Sequence, residues 1–202
     1  MAVIGLAPIC SCAQPPSDFS RAENVAAVLR NGTTPEVVRI LNEVKRVGYR
    51  GDVLPLIANL WSGKSNDLPK SATEPDIVRI QLADILAQAY RNGFLTSLDS
   101  GIHPYARKLI ASDDPQLVSS AVQVLAIIDD PTDVPLLERI ASKEVRPTFR
   151  ATVAALAEMC SPQADEALLR LGSSGLQSEN KRFLDETRQS IGALRRTAGV
   201  CH

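Results

Sequence analysis

Four stretches of this sequence repeat one arrangement, in which a proline opens an apolar segment with helical spacing. Pro35, Pro75, Pro115 and Pro147 follow one another at intervals of 40, 40 and 32 residues. Proline favours the first position of a helix because the N–H that it lacks would have no partner there. The apolar residues after each proline recur at i, i+3 and i+4, which is typical of a helix with one buried face. Internal repetition at this period predicts stacked helix pairs.

The second helix of each pair also repeats. Helical periodicity predicts a short cap helix from the Ser20–Glu23 capping box to Asn31-Gly32, and a final helix from Phe183 to about Arg196, capped by Ser178. The sequence therefore predicts an all-α fold of about four helix pairs with capping helices. We assign residues 18–202 to this single domain and residues 1–17 to a signal-like or disordered tail. The segments aligned as second helices are 54–60, 103–109, 134–140 and 165–171.

Composition argues against several function classes. The 202 residues carry a formal net charge of −1, and aromatic residues make up 4% of the chain. A protein built to hold a nucleic-acid backbone needs an excess of basic residues, so the charge argues against that class. Trp61 and the three tyrosines are not expected to cluster. No apolar run approaches the ~20 residues of a membrane-spanning helix.

The N-terminus resembles an export signal. Residues 1–17 are uncharged and largely apolar, and Ser11-Cys12-Ala13 places small residues just before Gln14. Cys12 also fits a loose lipobox, although no basic residue precedes the apolar run as it does in most signal peptides. We expect an exported protein, whether periplasmic, secreted or anchored by lipid at Cys12. The alternative is a cytoplasmic protein with a disordered tail.

Cysteine placement suggests one disulfide. Cys160 ends a first helix and Cys201 follows the final helix, so side-by-side helices would bring the two together. A Cys160–Cys201 disulfide is the hypothesis for an exported protein. A buried thiol at Cys160 and a frayed tail at Cys201 is the favoured alternative.

Two longer connections interrupt the regular repeats. The Trp61–Thr73 loop lies between the first two repeats, and the Gly93–Gly101 segment lies inside the second. We expect them on opposite edges of the stack. Extra loop length in a repeat protein is often functional.

The Pro-led helix pairs and the Asp133-Val-Pro-Leu-Leu137 phrase resemble HEAT repeats, particularly the short HEAT-like form found in phycobilisome-lyase-type proteins. The resemblance covers roughly residues 33–196. It implies a solenoid, a right-handed α-α superhelix whose second helices line the concave face, and most members are scaffolds that bind other proteins. A fold of this kind does not assign an activity by itself.

Equivalent positions of the second helices carry Asn59, Lys108, Arg139 and Arg170. These residues should form a line that could bind an acidic partner. The alternative is structural: the HEAT pattern has an Asp followed six residues later by a basic residue that bonds between repeats, and Asp133 and Arg139 have this spacing. The structural interpretation is favoured, since surface charge alone is weak evidence of binding.

No catalytic motif is visible. His103 has no acid partner near it in sequence and is interpreted as a residue that packs or caps a helix start. Asp113-Asp114 and Asp129-Asp130 are interpreted as caps rather than cation ligands. Residues 58–65 fit a permissive phosphate-loop pattern but lack the preceding strand that such a loop requires. We therefore predict no enzyme activity, no metal site and no cofactor.

These patterns together predict a non-enzymatic scaffold, bacterial and monomeric, that binds a protein or peptide on its concave face or long loops. One alternative is a HEAT-like enzyme resembling phycobilisome chromophore lyases. The other is a HEAT-like nucleic-acid binder, which the charge and the scarcity of aromatics disfavour.

Overall fold

The computed structural model describes residues 21–47, 52–64 and 73–198, with side chains described as far as residue 190. This part of the chain is all-α, as predicted, and contains no β-strand. A short 3-10 helix, Pro131–Asp133, precedes α7. The ten α-helices of the described ranges are α1 Ala22–Asn31, α2 Thr34–Val47, α3 Val53–Trp61, α4 Asp76–Arg91, α5 Ile102–Leu109, α6 Pro115–Ile128, α7 Val134–Ala141, α8 Arg146–Glu158, α9 Pro162–Ser173 and α10 Ser178–Ala198.

The helices contact one another in sequence order. The longer first helices form one row, in which α2 packs on α4, α4 on α6, α6 on α8 and α8 on α10. The shorter second helices pack against the first helix that follows them, as α3 does on α4, α5 on α6 and α7 on α8. Buried apolar side chains from Val25 to Leu184 form one continuous cluster between the helices.

Prolines lie at the starts of the first helices, but the predicted position is met only once. Pro115 is the first residue of α6, whereas Pro35 and Pro147 are the second residues of α2 and α8, and Pro75 precedes α4. The first-turn N–H groups have no helical partner, so proline is tolerated at each of these places.

Side chains cap backbone N–H groups both locally and from distant parts of the chain. Asp114 accepts a hydrogen bond from Gln116 N at 2.8 Å, and Asp130 accepts one from Thr132 N at 2.9 Å, which confirms both as caps. Asp129 is different, because it adopts φ 58° after α6 and accepts from Cys160 N at 3.2 Å. Asp52 accepts from Ala22 N at 2.9 Å at the start of α1. The predicted capping residue Ser20 lies outside the described residues.

The last two helices begin earlier than predicted. Ser161 caps α9 by accepting from Ala164 N at 3.1 Å, so this helix starts at Pro162. Ser178 is the first residue of α10 rather than its cap. Glu144 instead accepts hydrogen bonds at 2.9 Å from Gln177 N, just before α10, and from the Asn180 side chain. Periodicity along one helix cannot reveal such a partner from another.

A buried polar network joins the first-helix row. Lys45 Nζ on α2 lies 2.7 Å from both Asp84 Oδ2 and Gln81 Oε1 on α4. Gln88 donates to the other Asp84 oxygen at 2.7 Å. The Asp84 side chain is only 2% exposed, and its charge is tolerable there because both oxygens have partners.

Candidate functional site

Asn59, Lys108, Arg139 and Arg170 occupy equivalent places on α3, α5, α7 and α9, and all four are exposed. The polar faces of the second helices therefore present these side chains to solvent, as the repeat alignment requires. Their role in binding stays a prediction.

A groove lies between α7 and α9. Its volume is about 380 Å³, and Arg139 and Arg170 both line it. Glu138, Ser142 and Ser174 supply further polar groups at its surface. Two of the four predicted residues thus border one concavity.

Arg170 is engaged within the protein. Its Nε and Nη2 donate to the two carboxylate oxygens of Glu138 at 2.9 and 2.8 Å, and Glu166 lies 3.6 Å from Nη1. The hydrogen bonds from Arg170 lower the pKa of the Glu138 carboxyl below its ordinary value. Lys108 and Arg139, by contrast, form no ion pair with any other residue in the described ranges. Of the four equivalent residues, Lys108 and Arg139 are therefore the ones whose positive charge is available to a partner.

Asp133 forms a contact between repeats, as the HEAT spacing suggests, but not with Lys108 or another member of the predicted basic line. Asp133 points instead to the preceding helix pair, where its Oδ2 lies 2.7 Å from His103 Nε2 and its Oδ1 lies 3.1 Å from Arg107 Nε. Its side chain is completely buried. Asp133 faces α5 because the 3-10 helix places it ahead of α7, whereas Arg139 lies on the exposed side of α7.

His103 lies half-buried in the first turn of α5, as expected, but it has acidic partners that its sequence neighbourhood does not show. Besides Asp133 at Nε2, it has Asp130 Oδ2 4.0 Å from Nδ1. Hydrogen bonds from the backbone N–H of Thr132, and to a smaller extent from its side chain, lower the pKa of the Asp130 carboxyl. The nearby His103 and Arg107 lower it further. Sequence proximity missed these partners. The repeat alignment could have indicated these partners. It places His103 at the same position of its helix as Val134, and Asp133 directly precedes Val134.

Trp61 and Tyr105 meet, although the tryptophan and the tyrosines were not expected to cluster. The rings of Trp61 and Tyr105 meet edge to face with centroids 5.4 Å apart, and the Arg79 guanidinium lies 4.4 Å from the Trp61 ring centre. Tyr105 Oη donates to Asp76 at 2.8 Å. Burial, followed by this hydrogen bond, raises the pKa of the Tyr105 hydroxyl well above its ordinary value.

The described start of the first long connection, residues 61–64, lies beside the second, so the prediction of opposite edges is wrong for this part, and residues 65–72 lie outside the described residues. A hydrogen bond from the Trp61 side chain to Asp99 lowers the pKa of the Asp99 carboxyl and joins the start of the first loop to the second. A groove of about 290 Å³ lies between them, lined by Asn59 and Lys64 on one side and Leu95 and Leu98 on the other. Leu95 and Leu98 pack on the core. The predicted residue Asn59 therefore belongs to this second groove.

Cys160 is exposed and disulfide-bonded, so the favoured alternative of a buried thiol at this position is wrong. Cys201, its predicted partner, lies outside the described residues, as do Cys10, Cys12 and the rest of the N-terminal tail. The Cys160–Cys201 pairing and the lipid anchor at Cys12 therefore stay predictions.

None of the described helices combines the length and the hydrophobicity that crossing a bilayer requires. Comparison with known proteins adds no relative: no family model, curated protein or solved structure matches this chain.

Proposed function

We propose that this chain is a non-enzymatic HEAT-like scaffold that binds an acidic segment of another protein along its second helices. Contacts between successive helix pairs support the stacked architecture, because each repeat of a solenoid buries its apolar face against its neighbours. The HEAT resemblance implies that the second helices line the concave surface.

The observation that carries the proposal is the state of Lys108 and Arg139. Both are exposed at equivalent positions, and neither forms an ion pair within the described part of the chain. Carboxylates of a partner would supply the missing counter-charges, and positive side chains in a row would steer an acidic segment toward this surface.

The grooves give the partner side chains places to dock. The α7/α9 groove combines Arg139 with the apolar edge of Leu171 and Pro135. The second groove, which Asn59 lines, has Trp61 and three leucines in its wall. Charged contacts set orientation and apolar contacts add affinity, so an acidic segment with interspersed apolar residues fits this surface best.

An array of synthetic peptides of varied charge and hydropathy tests the proposal. We expect binding to concentrate on acidic peptides and to weaken with added salt. The Lys108→Glu/Arg139→Glu variant should lose this binding. The matched control is Arg39→Glu/Lys181→Glu, which makes the same change in net charge at exposed positions of α2 and α10.

If both double variants lost peptide binding equally, the loss would be an effect of net charge alone, which would contradict the proposed binding surface. Absence of any acidic peptide among the binders would contradict it as well. Circular dichroism of each variant, recorded first, establishes that the helices are retained.

A further inference from the structure

We propose that His103, Asp130 and Asp133 form a binding site for a divalent transition-metal ion. The site is distinct from the proposed partner-binding row. It lies where α5 meets the 3-10 helix of the next repeat, and each of its three residues offers one ligand atom within 4.8 Å of the others.

The ligand set has the chemistry of such a site. Imidazole nitrogen and carboxylate oxygen both bind Zn²⁺, at roughly 2.0–2.2 Å. Three protein ligands leave a fourth position for water, which is the arrangement of open zinc sites. One imidazole with two carboxylates suits Zn²⁺ better than the larger Ca²⁺, which takes six to eight oxygen ligands.

Asp133 supplies an independent observation. It is completely buried, and its Oδ1 has no hydrogen-bond partner among the described residues. Arg107 Nε, 3.1 Å away, provides a charge contact without the alignment of a hydrogen bond. A buried carboxylate oxygen normally has a hydrogen bond or a metal ion, because leaving it unsatisfied costs free energy.

The charge of the cluster is compatible with a bound cation. Asp130 and Asp133 together carry two negative charges, and the Arg107 guanidinium compensates one of them. With His103 neutral, as a metal ligand must be, the cluster keeps one negative charge. The site is also reachable, since the side chains of His103 and Asp130 are 25% and 33% exposed.

Contraction around an ion requires movement mainly of Asp130. Neighbouring ligands in a tetrahedral zinc site lie roughly 3.3 Å apart, a spacing set by bond lengths of about 2.0–2.1 Å. The Asp130 side chain is the most exposed of the three and can close this difference. Asp133 is fixed by burial, so the His103 ring must give up its 2.7 Å hydrogen bond to Asp133 and move back by a few tenths of an ångström to bind the same ion.

Calorimetric titration of the full chain with zinc chloride, after removal of metals by chelator and dialysis, tests the site. We expect one ion per chain. His103→Gln and Asp130→Asn should each weaken binding by more than the roughly 10- to 100-fold that the loss of an outer-shell partner costs. Arg107→Gln should bind more tightly, because it removes the positive charge beside Asp133.

The matched control is Asp114→Asn, which changes another aspartate that caps a helix start, through Gln116 N at 2.8 Å, outside the cluster. Its zinc affinity should equal that of the wild type. Titration with Co²⁺ adds a second readout, since its visible absorption reports the coordination geometry.

Absence of zinc binding would overturn the proposal. So would zinc binding that survives both His103→Gln and Asp130→Asn, because the ion would then be held elsewhere, for example by the terminal cysteines or His202. An Arg107→Gln variant that binds no more tightly would contradict the role of Asp133 as a ligand.

Discussion

Arg170 and Glu138 form a two-point contact between α9 and α7, with hydrogen bonds of 2.9 and 2.8 Å from one guanidinium to both carboxylate oxygens. Bidentate pairs of this kind are geometrically specific. The contact gives Arg170 a structural role beside the groove, and this role distinguishes it from Lys108 and Arg139. Arg170 therefore fits the structural interpretation of these basic residues, whereas partner binding by Lys108 and Arg139 stays a prediction.

The Glu138–Arg170 pair predicts a pH-dependent contribution to stability. The folded-state pKa of Glu138 lies below its ordinary value of 4.5, so the contribution is complete above pH 4.5 and is lost as the pH falls through the folded pKa. Glu138→Gln should lower the free energy of unfolding at neutral pH by about 0.2–1 kcal/mol, since both side chains are partly exposed. Its stability should also fall less below pH 4.5 than that of the wild type. Urea denaturation across this pH range measures both effects, and parallel curves for the two proteins would refute them.

The buried Lys45–Asp84 pair predicts strong coupling between α2 and α4. Lys45→Met removes the cation beside a carboxylate that is 2% exposed, and should cost about 3–5 kcal/mol. Lys45→Met/Asp84→Leu removes both charges and should be more stable than Lys45→Met alone. A double-mutant cycle from urea denaturation provides the measurement. Additive effects of the two substitutions would contradict the coupling.

The contact of Arg79 with Trp61 predicts a spectroscopic change. Trp61 is the single tryptophan of the chain and is 5% exposed, so its fluorescence reports this region alone. Arg79→Leu should shift its emission and lower stability by about 0.5–2 kcal/mol, the value of a cation–π contact. Arg150→Leu is the control, because Arg150 lies over the Phe183 ring at 5.2 Å instead. Identical emission from the wild type and Arg79→Leu would count against the contact.

Local sequence signals predicted much of the fold. Apolar spacing identified the helices of all four pairs, because a helix with one buried face has apolar residues at regular intervals along the sequence. Asp114 and Asp130 were also predictable as caps, since their hydrogen bonds reach only two residues ahead. The alignment of repeats correctly placed Asn59, Lys108, Arg139 and Arg170 on exposed, equivalent positions.

The failures concern partners that are distant in the chain. His103 and Asp133 are 30 residues apart, and Glu144 reaches the start of α10 from more than 30 residues away. Trp61 and Tyr105 meet only because α3 and α5 both pack on α4. Such contacts depend on how helices are stacked, which periodicity within one helix does not record.

The disulfide at Cys160 predicts a specific cross-link. Peptide mapping by mass spectrometry without reduction should find Cys160 joined to Cys201, and reduction should release both peptides. A structural disulfide is typical of oxidising compartments, so this result would support export. A Cys160 peptide joined to Cys10 or Cys12, or a free thiol at Cys160, would contradict the pairing.

The affinity of an acidic peptide selected from the array tests the central claim most directly, measured by fluorescence anisotropy. The account predicts that Lys108→Glu/Arg139→Glu weakens binding at least about tenfold, or about 1.4 kcal/mol, while Arg39→Glu/Lys181→Glu leaves it near the wild-type value. Equal affinities for the wild type and the Lys108→Glu/Arg139→Glu variant would show that the second-helix row is not the binding surface.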